Sequence, residues 1–188
     1  MRLLALIVVL GLVRTARADD EIALPHRAIG VLAEMNDVNT GPGTPESYGL
    51  TARAVLGECR FGLLAETGIG LVLDTNDAFA GADGVARLGG RMLVARFQDS
   101  NPMTVDLAID AGIGGHVYWL DHVMADPEVF FGWTVTGHGQ HSGMEVSLRI
   151  AASPRDEQLT TVICRGTCTA SESPMGITIG LLLGVTTW

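Results

Sequence analysis

Beyond the first two dozen residues, apolar and polar positions alternate with a period of two. Ile29, Val31, Ala33 and Met35 interleave with Ala28, Gly30, Leu32 and Glu34. Ile109, Ala111, Ile113 and Val117 interleave with Asp110, Gly112, Gly114 and His116, and Val146, Leu148 and Ile150 with Glu145, Ser147 and Arg149. Past residue 19 no window sustains a helical period, and no apolar run is long enough for a helical span. The alternation predicts eight strands, at about 27–36, 48–57, 61–73, 85–97, 103–119, 128–137, 143–152 and 175–187. Most are longer than ordinary soluble strands and suit tilted strands that cross a membrane. The connections at 57–60, 98–102 and 138–142 are short; those at 37–47, 74–84, 120–127 and 153–174 are longer and polar. Short and long alternate, as in an all-β, eight-stranded antiparallel up-and-down barrel with tight turns at one rim and loops at the other.

The two faces of these strands decide which side is wet. One set of positions is almost unbroken Ile, Leu, Val and Met; the other is mostly Gly, Ala, Thr and Ser with a few charges of both signs. A soluble barrel such as a lipocalin turns its apolar face inward and a charged face to water. Here the small and charged set suits the narrow lumen of an eight-stranded barrel, and the apolar set suits lipid. Aromatic residues fall near strand ends: Tyr48, Tyr118, Trp119, Phe130 and Phe131 toward the long loops, Phe61, Phe97 and Trp188 toward the short turns. Such positions resemble interfacial girdles, for which Tyr48, Trp119, Phe131, Phe61 and Trp188 are the candidates. Trp133 and Phe79 stand outside this scheme.

The start of the chain reads differently. Arg2, the apolar run 3–13 and the small residues Ala16 and Ala18 compose a secretory signal peptide over 1–18. All 12 basic residues are Arg, and three lie in that segment. Residues 19–188 therefore hold nine Arg against all 21 acids, a net charge of −12. That balance argues against nucleic acid as a partner. Export also permits a disulfide between Cys164 and Cys168 within the polar stretch 155–173, leaving Cys59 as a free thiol.

In layout the chain resembles the small eight-stranded outer-membrane β-barrels of Gram-negative bacteria, the OmpA-transmembrane and OmpX-like class. The resemblance rests on the signal peptide, the eight-strand pattern over 20–188 and the terminal aromatic Trp188 after the last strand. In that family a final aromatic belongs to the signal read by the outer-membrane assembly machinery. Trp188 departs from the pattern in one respect, since it shares the parity of Gly180 and Gly184 rather than that of Leu181 and Leu183. The resemblance implies both termini in the periplasm, long loops outside the cell, contact with outer-membrane lipid and lipopolysaccharide, and a monomer.

Chemistry concentrates on the inward set, which collects Glu34, Arg53, Glu66, Arg87, Arg91, Asp106, Asp110, His116, Glu145 and Arg149. Burial requires such charges to be bridged, and the planar fork of Arg satisfies a carboxylate well. These residues are expected to form a structural plug; pairs that exchange partners would instead make a narrow channel for small ions or solutes. The cluster His138, His141 and Ser142, with Glu145 following, allows a Ser-His-Glu or metal arrangement, as in an outer-membrane lipid-modifying enzyme. Its place at a tight turn favours ordinary turn chemistry. The acids Asp37, Glu46, Asp74, Asp77, Asp83, Asp121, Asp126, Glu128, Asp156, Glu157 and Glu172 are read as loop residues. No catalytic residue, metal or cofactor is expected. The expected protein is a non-enzymatic outer-membrane barrel with a structural or surface-contact role.

Overall fold

The computed structural model describes residues 24–25, 27–39, 46–74, 77–98, 104–120, 123–139, 141–154 and 175–188. The signal segment 1–18, Cys164, Cys168, Asp121, Asp156, Glu157 and Glu172 lie outside the described residues. Eight strands follow one another: β1 (Ala28–Asn39), β2 (Glu46–Glu58), β3 (Phe61–Leu73), β4 (Phe79–Gln98), β5 (Thr104–Trp119), β6 (Val123–His138), β7 (Ser142–Pro154) and β8 (Met175–Thr187). Each pairs antiparallel with the next, and β1 pairs with β8 from Ile29↔Thr187 to Asn39↔Ile177. The result is a closed barrel with no sheet edge between first and last strands.

The period-two pattern becomes the two faces of the wall. Ile69 is 74% exposed and Leu63 69%, whereas Arg53 and Asp110 are each 1% exposed. Large apolar side chains thus cover the outside, while the charges lie inside with a smaller apolar set that includes Leu32, Leu64 and Phe130, the reverse of a soluble barrel. The inside is narrow enough that glycines make room for their neighbours. A Cβ on Gly70 would lie 2.2 Å from Asp83 Oδ1, and one on Gly114 would lie 2.6 Å from Arg87 Cγ.

Several boundaries move. β4 begins at Phe79 rather than near 85, and β6 begins at Val123 rather than near 128. The connections expected at 74–84 and 120–127 shrink to 74–78 and 120–122, so strict alternation of short and long connections does not hold. Gly, Asp and Pro at 81–84 and 125–128 look like loop composition, yet their inward side chains find partners in the lumen and the pairing continues. β6 outruns β7 there: Val123–Glu128 pairs only with β5, because the β6–β7 ladder ends at Val129↔Ala152. β4 also carries an irregularity between Leu93 and Ala95, where one extra residue faces β5.

The chain closes its own short-turn mouth. The Leu24 amide donates to the Cys59 carbonyl at 2.6 Å. The Leu24 side chain is 8% exposed and packs where Gly57 and Gly62 lack a Cβ. Cys59 itself is an exposed free thiol at φ 56°, in the β2–β3 turn.

Candidate functional site

The lumen holds the densest chemistry, and its ladder registers explain why. Arg53 stands opposite Glu66, Glu66 opposite Arg87, and Arg91 opposite Asp110. Cross-strand neighbours on one face lie within side-chain reach, so unlike charges meet without distortion of the wall.

At mid-height, Arg53 bridges Glu66, with Nε to Oε1 at 2.6 Å, and also bonds Glu145 and Ser147. Arg91 donates to both oxygens of Asp110, at 2.7 and 2.8 Å, and to Glu145 at 3.0 Å. Arg149 reaches Glu66 at 2.7 Å, with its guanidinium 4.9 Å over the Phe130 ring. Thr134 donates to Asp110 at 2.8 Å. Toward the loops, Arg87 bonds Glu34 at 2.7 Å and also Glu128, and Thr51 and Asn36 complete Glu34. His116 sits between Asp83, 3.0 Å from Nδ1, and Glu128, 3.6 Å from Nε2; Ser47 donates to Asp83 at 3.0 Å. Each carboxylate is shared, and each Arg meets at least two oxygens, the arrangement in which buried charges are least costly.

The short-turn end is separate. Arg96 holds Asp106 through Nε and Nη2, both at 2.7 Å, and His138 Nε2 lies 3.0 Å from the same carboxylate. The Trp188 ring meets the His138 ring edge-on, with centroids 4.7 Å apart. Below Arg91 and Glu145 a cavity of about 220 Å³ opens among these groups.

The structure therefore brings together Glu34, Arg53, Glu66, Arg87, Arg91, Asp110, His116, Glu145 and Arg149, and places Asp106 in the lower group. Several assignments are corrected. Asp83 and Glu128, read as loop acids, are buried in the lumen with His116 and Arg87. Arg96 joins the inside although five positions from Arg91 should put it outside; the extra residue in β4 reverses the parity. Trp188 belongs to the inner mouth rather than to an outer girdle, as its parity with Gly180 and Gly184 requires. Tyr118 and Phe130 are likewise buried, at 3% and 4% exposed, Tyr118 stacking on His116. Tyr48, Trp119, Phe131 and Phe61 face outward. The cluster at the β6–β7 turn does not assemble. Glu145 turns inward to Arg53 and Arg91, His138 binds Asp106, and His141 and Ser142 are exposed. Among the described residues no group of three metal-ligating side chains could hold a metal ion.

Comparison with known proteins gives the same architecture. No family model and no curated protein matches the sequence. Among solved structures the barrel is similar to Neisserial surface protein A, NspA, with a TM-score of 0.58 at 8% identity over 87% of this chain and 97% of that one. The chain has the fold of the small eight-stranded outer-membrane barrels. The N-terminal β-barrel domain of Pseudomonas aeruginosa OprF also matches, with a TM-score of 0.46 at 10% identity over 85% of this chain and 96% of that domain.

Proposed function

We propose that this chain is an exported, monomeric integral protein of a bacterial outer membrane, non-enzymatic, with a plugged lumen and a structural or surface-contact role. One observation carries the reading: large apolar side chains cover the outside of a closed barrel while its charged side chains are buried inside and paired with one another. Only an apolar solvent makes that distribution favourable, because water would leave the whole outer wall hydrated and the barrel aggregated. A closed β-barrel is also one of the two architectures whose backbone is satisfied within lipid. The extracellular loops meet lipopolysaccharide, and the assembly machinery inserts the chain.

The plug rather than the pore is favoured by the sharing of partners. Opening a path would require Arg53 and Arg91 to leave Glu145 together, uncovering charges on both walls at once. The test is single-channel recording of the refolded protein in a planar bilayer. The plug predicts no conductance steps while the protein migrates as a heat-modifiable folded monomer. Regular steps from that monomer would replace it with the channel reading.

A further inference from the structure

The cavity above Trp188 is a space inside the described barrel that the ion-pair network does not fill. At about 220 Å³ it would hold roughly seven waters. Its charged lining is already spoken for: Arg96 is bound to Asp106, and Glu145 to Arg53 and Arg91. No unmatched charge therefore draws an ion into it. One polar atom is left over. Thr186, 3% exposed, lines the cavity, and its buried Oγ1 has no hydrogen-bond partner. Such a hydroxyl is costly to leave unmade, and it both donates and accepts. Around it the lining is mixed: Leu24, Val55, Leu93, Ala108 and the Trp188 ring give it an apolar side, and Thr136, His138 and the paired charges a polar one. An apolar surface faced by polar groups that fix orientation is the ordinary form of a small-molecule site.

We propose that this cavity binds a small uncharged amphiphile, an apolar body of about eight heavy atoms with one hydroxyl or carbonyl group. The polar group bonds Thr186 Oγ1, and the body lies against Leu24, Val55 and the Trp188 ring. Leu24, tied to Cys59 by its amide, lines the cavity at the short-turn side. The site lies below the Arg91–Glu145 contact and does not require that contact to open.

Three probes of one shape and different charge test it: benzyl alcohol, benzoate and benzylammonium, titrated into the chain refolded in detergent micelles. The readout is the indole N–H resonance of each tryptophan. Trp188 lines the cavity, whereas Trp119 and Trp133 face outward and report partition into the micelle. Benzyl alcohol should shift Trp188 saturably and the other two only linearly. Thr186→Val should weaken that binding about fivefold, the worth of one hydrogen bond, and Ala108→Leu, which fills the space, should abolish it. Because the wild-type spectrum shows whether the barrel is folded, a failure to bind is distinct from a failure to fold. Equal binding of either ion, a response unchanged by Thr186→Val, or no saturable shift with any probe, which would mean water alone occupies the cavity, overturns the proposal.

Discussion

Ile113 and Asp110 lie three positions apart on β5 and face opposite sides of the wall. Ile113 is 66% exposed on the outer wall; Asp110 is 1% exposed, held by Arg91 and Thr134. In a water-soluble barrel the two would exchange places. The contrast teaches that this wall separates an interior built around paired charges from an apolar exterior, with stability stored differently on each side. Inside it resides in charge pairing, where the loss of one partner strands another. Outside it resides in transfer from water to hydrocarbon and is present only when hydrocarbon is present.

Substitutions on the two faces should therefore fail in different ways. The largest loss is expected from Arg53→Met, which removes the cation between Glu66 and Glu145 and should cost about 3–5 kcal/mol in denaturant unfolding. Adding Glu145→Gln should recover part of that loss, because the stranded charge is then gone. On the outer face Ile113→Arg places a cation within the apolar band and should cost about 2–4 kcal/mol in lipid. The same substitution at Val123, near the loop rim, should cost about 0–1 kcal/mol, so the depth gradient is itself the check. Next comes the coupling between Arg91 and Asp110. A double-mutant cycle with Arg91→Gln and Asp110→Asn should give an interaction energy of about 0.5–3 kcal/mol, and additivity would contradict the pairing. A smaller effect belongs to Thr134→Val, which removes the hydroxyl's bonds to Asp110 and Ser147, each worth about 1 kcal/mol.

The two ends of the lumen also differ in how legible they were. At mid-height strict alternation holds, and counting by twos from Arg53, Glu66, Arg91 and Arg149 puts each side chain on the inner face. Near the loops composition masked the same rule: Glu128 shares the parity of Gly132, and Asp83 that of Arg87, yet Asp-Pro and Gly-Ala-Asp read as breaks. Their strands continue because lumen partners wait for those carboxylates, a long-range fact absent from any local window. Arg96 was hidden by the irregularity in β4, since one extra residue inverts parity without a mark in composition. Trp188 was the converse case. Its parity pointed inward, and the expectation of a terminal aromatic at the membrane surface outweighed it; the ring instead closes the short-turn mouth against His138. The β6–β7 turn shows how proximity in sequence misleads, because period-two geometry sends Glu145 into the lumen and leaves His141 and Ser142 exposed.

The central claim is that the outer wall requires lipid. Denatured protein diluted into buffer alone, or into buffer with phospholipid vesicles, tests it directly, with heat-modifiable migration and strand content read on both samples. The account predicts a folded, heat-modifiable monomer only with vesicles, and aggregated or unfolded chain without them. A stable folded monomer in plain buffer would contradict it.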